Sequence, residues 1–404
     1  MSTIARVAHR EYGRSSTDQI MTERPLAHVP LSTIVREWGR LGLIGFGGPP
    51  THIALLRQLC VERRGWLSEH EFEDAIATTN LLPGPASTQL AIYCAWRLRG
   101  RLGAVVGGLC FILPGLVMIL ALAVLFFAAH TPLWVRGAAL GAGAVVPAVA
   151  LNAALRLVGP SWRRSNAASF RRARWLGYFA AGVVGAVLAG SYLVLVLILC
   201  GLVEVSIVGV RSRRALVLFP AVVTPVALGG LLALCWVALK VGALSYGGGF
   251  VIIPLMQHDV VTTYHWMSGA QFLSAVALGQ ITPGPVVQTV AVVGYAASGL
   301  AGGLLAAFVA FTPSFLFVMV GAPHFARLRS SASIQAFLLG AGAAVIGAIA
   351  GSAVPLGREL LHLWQLGVLG VGALWLFAFR RSVVSALVGA GLLGIIAVLA
   401  GAPH

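Results

Sequence analysis

Charge is what this sequence has least of. Only 10% of its residues are Asp, Glu, Lys or Arg, against 58% hydrophobic ones. A soluble domain carries about a quarter charged residues, so this chain has too few to cover a water-facing surface. Cysteine is sparse as well. Cys60, Cys94, Cys110, Cys200 and Cys235 include no CxxC pair and are odd in number, which argues against a disulfide framework and a zinc site. Catalytic signatures such as HExxH and GxSxG are missing, so an enzyme is not expected, nor a cofactor. No signal-peptide core exists either, because Arg6, Arg10, Glu11, Arg14, Asp18, Glu23 and Arg24 interrupt the first residues. Residues 1–30 read as a cytoplasmic tail.

Glycine, in contrast, is abundant at 49 residues. Mixed with Ala, Ser and Thr, it lets helices approach closely in lipid, where no hydrophobic force drives them together. The formal charge of +16 sits mainly in Arg clusters: Arg97, Arg99 and Arg101; Arg163, Arg164, Arg171, Arg172 and Arg174; Arg211, Arg213 and Arg214. Each punctuates an apolar run, the pattern of cytoplasmic loops held by the positive-inside bias. Membrane lipid is therefore the expected partner and nucleic acid is not.

Apolar stretches near the length of a bilayer span fall at 31–47, 72–98, 103–128, 134–158, 175–190 and 191–210. A run at 215–247 reads as two segments parting near Gly229 and Gly230, and further stretches fall at 270–298, 301–321, 335–353, 362–379 and 382–401. The fold class expected is an all-α polytopic membrane protein of about 13 transmembrane segments, with 12 the alternative.

An internal repeat organises these spans. Phe46-Gly47-Gly48 answers Tyr246-Gly247-Gly248, Trp66 and Ser68 answer Trp266 and Ser268, Phe72 answers Phe272, and Pro83-Gly84-Pro85 answers Pro283-Gly284-Pro285, all 200 residues apart. The chain thus divides into repeat domains at 31–214 and 215–404. With the basic clusters inside, together with Arg327, Arg329, Arg380 and Arg381, the loop at 48–70 falls outside and its counterpart at 248–270 inside. Homologous halves of opposite orientation form an inverted repeat, a common device of secondary transporters.

Both Pro-Gly-Pro motifs fall in helical runs, where proline removes an amide donor and clashes with the preceding turn. Broken helices are the consequence, tolerated at membrane depth only where protein or water supplies partners. Ser87, Thr88 and Gln89 follow one break, Gln288 and Thr289 the other, with Asn80, Gln280 and Thr282 just before them. Hydroxyls and amides at the N-terminal ends of two half-helices suit an anion. Gly47 and Gly48, with Gly247, Gly248 and Gly249, would supply a second pair of turns. These lack the GxGxxG or GxxxxGK[ST] order of a nucleotide site.

Arg40 and Lys240 occupy equivalent positions before the glycine turns, where they would draw an anion inward or snorkel to headgroups. His52, Arg57, Glu73 and Asp74 belong to a densely charged first motif loop, a solvated vestibule, whose counterpart retains Asp259 and the histidines His258 and His265. Glu204, inside an apolar run, is either a proton site or an interfacial acid.

The motif blocks FGGPPTHIALL (46–56), GWLS (65–68) and NLLPGPASTQLA (80–91), with YGGGFVIIPLM (246–256), WMS (266–268) and ALGQITPGPVVQT (277–289), resemble those of the chromate ion transporter family. The resemblance implies the two-domain form, with antiparallel halves, exporting chromate under the proton motive force, with sulfate a related anion. Import or exchange of sulfate or another oxyanion is the alternative. A non-transporting membrane scaffold is the reading from another class, and the absence of an extramembrane interaction domain weighs against it. Asn80 stands where many first halves of the family have glutamine. Oligomeric state is left open, a homodimer being one option.

Overall fold

The computed structural model describes residues 29–80, 82–164, 169–208, 229–245, 250–321 and 331–403, and every regular element among them is helical. The first half comprises α1 (Leu31–Ile44), α2 (Pro49–Arg57) continued by a π turn (Gln58–Arg63), α3 (Glu69–Thr79), α4 (Ala86–Phe126), α5 (Leu133–Arg164), α6 (Ser169–Val184) and α7 (Leu193–Ile207). The second comprises α8 (Gly230–Leu244), α9 (Ile252–Gln257) with a π turn (His258–Thr263), α10 (Gly269–Ile281), α11 (Thr289–Gly321), α12 (Ala332–Arg358), α13 (Leu363–Ala373) and α14 (Val383–Leu399).

The halves repeat down to their irregularities. Ser68 with Glu71 and Ser268 with Gln271 form matching capping boxes that start α3 and α10, each satisfying two otherwise unpaired amides. Helix α4 breaks at Arg99–Gly100 and α11 at Ser298–Gly299, with Gly100 at φ 61° and Gly299 at φ 64°. Beyond these glycines the spacing is 299 − 100 = 199, one residue less than in the motif blocks. Past the breaks α4 and α11 pack on each other, Gly108 against Phe315 and Gly303 against Leu120. Residue numbers rise along one helix as they fall along the other, so equivalent helices run antiparallel.

The last helices of each half are exchanged. Helix α5 packs on α13 and α14 of the second half, α12 packs on α6 and α7 of the first, and α5 and α12 pack on each other. Small residues permit the approach: a Cβ on Gly137 would lie 2.7 Å from the Gly394 carbonyl, and one on Gly351 2.6 Å from that of Val183. Backbone contact of this kind is how helices associate where lipid is the solvent.

Five described segments are long and apolar enough to cross a membrane: Ala86–Phe126, Leu133–Arg163, Arg172–Ile207, Val286–Gly321 and Ala332–Arg358. The stretch at 72–98 is not a single span, because α3 and α4 part at Pro83-Gly84-Pro85. Helix α8 starts at Gly230, as expected of the second segment of the 215–247 run. That run's earlier part lies outside the described residues, as do Arg211, Arg213, Arg214, Arg327 and Arg329 and most of the 1–30 tail.

Candidate functional site

Both Pro-Gly-Pro motifs form the breaks expected of them. Gly84 has φ +112° and Gly284 φ +97°, a region open to glycine at little cost. Pro85 is the N-cap of α4, and a 3-10 turn (Val286–Gln288) follows Pro285 before α11. The first amides of each helix, at Ala86 and Ser87 and at Val286 and Val287, have no intrahelical acceptor. From the Pro85 break to the basic kink at Arg99 runs roughly 20 Å of helix at 1.5 Å per residue. With a hydrocarbon core about 30 Å thick, a kink at the headgroups leaves the break deep in the membrane.

Each break is seated against the other half. A Cβ on Gly84 would lie 3.3 Å from the Gly242 carbonyl and 3.5 Å from Ser314 Oγ. Reciprocally, a Cβ on Gly115 would collide with the Pro283 carbonyl and lie 2.6 Å from Gln288 Oε1. Gly115 and Ser314 are equivalents at the 199 spacing. The Gly284 amide donates to the Gly45 carbonyl at 3.0 Å, and Gln288 Nε2 to the Ile112 carbonyl at 2.8 Å.

The polar residues divide into clamps and unpaired groups. Gln89 Nε2 donates to the Pro83 carbonyl at 2.6 Å. The Gln89 and Gln288 amino groups are thus occupied with backbone carbonyls. Thr282 donates to the Leu278 carbonyl and Thr289 to that of Val286. Thr88 Oγ1, Gln280 Nε2 and Ser314 Oγ are buried donors with no protein partner, which is costly unless something else fills the place.

His52 is buried with both ring nitrogens engaged, Nε2 2.9 Å from the Gly45 carbonyl and Nδ1 3.2 Å from Ser87 Oγ. The glycine turn holds Gly47 at φ +98° and Gly48 at φ +76°, and Gly48 lies beside Val286 of the second half. Gly247, Gly248 and Gly249 lie outside the described residues.

Several expectations are overturned. Arg40 is exposed, whereas Lys240 is buried and paired with Asp259, so the two are not matched anion attractors. Asn80 is exposed at the end of α3, unlike buried Gln280, so that equivalence fails too. Neither reading of Glu204 is overturned: near the end of α7 it is buried and held by Arg174 at 3.1 Å and Tyr178 at 3.0 Å. The amide of Gly284 is spent on Gly45 and faces no ligand.

The vestibule charges pair among themselves. Arg57 bridges Glu69 at 2.5 Å and Glu73 at 3.4 Å, and Asp74 lies 3.4 Å from His70. At Glu71 burial pushes the carboxyl up, but the Ser68 amide and hydroxyl and the Arg97 guanidinium outweigh it and hold the pKa below the usual value.

Ser314 and Gly115 were not expected from the sequence. Their signal is the prolines before them, Pro114 and Pro313, which repeat at 199 and not at 200.

The chromate transporter family model matches residues 32–230 and again 232–395. The chain belongs to the chromate transporter family. It is 32% identical over 379 residues to a chromate transport protein of Cupriavidus metallidurans, covering 91% of this chain and 93% of that one. A probable chromate transport protein of Synechococcus elongatus is 30% identical, covering 91% and 95%, and a chromate transport protein of Pseudomonas aeruginosa 29% identical, covering 96% and 98%. No solved structure matches. Chromate transporter membership, with the long apolar helices, makes this a multi-pass bacterial inner-membrane protein of two repeated halves that transports anions and is not an enzyme.

Proposed function

We propose that the chain is a secondary transporter exporting chromate, with its anion site at the two crossed Pro-Gly-Pro breaks. One observation carries this reading: Thr88 in the first turn of α4, Ser314 beside the Gly84 break and Gln280 in the last turn of α10 hold buried donors without protein partners, contributed by both halves. Oxyanions take such donors together with the positive ends of helix dipoles. Pro83, Gly84, Pro85, Ser87, Gly284 and Pro285 shape the breaks, and Gln89, Gln288 and Thr289 brace them.

The repeat domains are 31–214 and 215–404, oriented oppositely in the membrane. The antiparallel packing of α4 on α11 supports that orientation, since equivalent helices related by a two-fold axis lying in the membrane plane must run oppositely. About 13 spans with re-entrant pieces accommodate it. Export is favoured by charge: a dianion leaving an inside-negative cell gains about 4.6 kcal/mol per 100 mV, so the electrical part of the proton motive force drives it outward.

Flux in proteoliposomes under an imposed potential tests the reading, with chromate as substrate and sulfate as competitor. Potential-driven chromate movement supports it. Sulfate movement without chromate movement sinks it in favour of a sulfate carrier. Cysteines placed beside Trp66 and Trp266 test the topology: labelling of both from one side would overturn the inverted orientation.

A further inference from the structure

The one histidine among the site residues forms a junction. A carbonyl can only accept, so His52 Nε2 carries the proton that bonds the Gly45 oxygen at 2.9 Å. In the neutral ring Nδ1 is then the acceptor, and the Ser87 hydroxyl donates to it at 3.2 Å. Gly45 O also accepts the Gly284 amide at 3.0 Å. The chain of bonds from Ser87 through His52 and Gly45 to Gly284 therefore ties both helix breaks to one imidazole. In the second half the equivalents of His52 and Ser87 are Ile252 and Val287, both fully buried and apolar. The junction exists on one side only.

We infer that His52 is the proton-sensitive positioning residue of the anion site: a proton arriving on Nδ1 reverses its bond to Ser87 and frees that hydroxyl to donate to a bound oxyanion. This rests on the site reading above. No covalent bond changes. The proton comes from solvent, Nδ1–H now donates to Ser87 Oγ, and the hydroxyl hydrogen turns toward the start of α4, where the Ser87 amide also lacks an intrahelical acceptor. The imidazolium charge adds to the attraction. Linkage requires the reciprocal effect, so anion binding draws a proton onto His52.

Neighbouring charges leave His52 as the group that responds. On α1, Glu37 is bonded to Arg64 at 2.5 Å, and Arg36 and Arg40 are exposed. On the π turn Glu62 and Arg63 are exposed, on α2 itself Arg57 is held by Glu69, and on α4 Arg97 is held by Glu71 while Arg99 and Arg101 lie at the distant kink. The remaining titratable groups on these elements are Tyr93, Cys60, Cys94 and Cys110.

Sulfate binding to the purified full chain, measured by calorimetry between about pH 4.5 and 8, a window carried below the ordinary histidine range because burial disfavours the imidazolium, tests this. Sulfate keeps its charge across that range, whereas chromate takes up a proton itself. Wild type should bind more tightly as pH falls, by up to about tenfold per pH unit, the limit for one linked proton, with proton uptake read from buffers of different ionisation enthalpy. His52→Gln and Ser87→Ala should both bind with a flat profile, Ser87→Thr should restore the slope, and Leu363→Ala should match wild type. If His52→Gln does not fold, the Ser87 pair decides. A flat wild-type profile, or an unchanged slope in Ser87→Ala, overturns the inference while leaving the site in place. Absence of sulfate and chromate binding at every pH overturns the site itself.

Discussion

Lys240 on α8 is bonded through Nζ to Asp259 Oδ2, with side-chain exposures of 4% and 6%. Ser191, from the turn between α6 and α7, donates to the other carboxylate oxygen at 2.6 Å. The first half has an ion pair of reversed sign between the same two elements but at other positions: acidic Glu37 on α1 meets basic Arg64 after the π turn. Each first helix is thus tied to its re-entrant segment by opposite charges, and neither pair offers a free cation to a ligand.

Lys240→Met should destabilise the protein by about 3–5 kcal/mol, because it leaves the Asp259 charge buried and unpaired. Lys240→Met with Asp259→Leu should recover most of that loss. Unfolding of detergent-solubilised protein measures both, and a single variant as stable as wild type would contradict the buried pair.

Gly115→Ala would thrust a methyl group into the Pro283 carbonyl and Gln288. Over-packing of about 1–3 kcal/mol should fall on the second break, reducing chromate flux while the protein still inserts. Gly389→Ala, where a Cβ meets nothing within 4 Å, is the control. Equal flux from the two variants would dissociate Gly115 from the site.

Pro283→Ala allows α10 to continue and should abolish transport at normal abundance. Gln280→Ala removes an unpaired buried donor and should weaken anion binding by about 1–3 kcal/mol, whereas Asn80→Ala should change little because Asn80 is exposed. Phe308→Ala, at a site 72% exposed, is the control. Binding assays on matched amounts of protein settle the order.

Glu204→Gln should lower stability by removing the carboxylate charge that Arg174 and Tyr178 bond, while leaving the pH dependence of flux unchanged. A flattened pH profile in this variant would return Glu204 to the role of proton site.

Much of the fold was legible because duplication repeats its signals. Proline and glycine at 83–85 and 283–285 mark breaks whatever surrounds them, and Ser68 and Ser268 mark helix starts. The crossed seating of the breaks was not legible, since it depends on which half Gly115 and Ser314 face. Nor were the partners of Lys240 and Glu204. A lone charge in an apolar run announces that it needs a counter-charge, but Asp259 lies 19 residues away and Arg174 30, and no local pattern links them. The exchange of α5 and α12 escaped for the same reason: helices packed through glycine read alike whichever neighbour they have.

That exchange divides the molecule differently from the duplication. Helices α5, α6, α7, α12, α13 and α14 interlock as a frame, while α1 to α4 and α8 to α11 form a separate carriage holding the breaks. Carriage and frame meet chiefly where α10 lies on α5, a seam crossed by the bond from Ser274 Oγ to the Ala139 carbonyl at 3.2 Å. Sliding along that seam would break that bond and the one from Ser191 to Asp259, whereas prising the two gene-duplicated halves apart would unpick the whole frame.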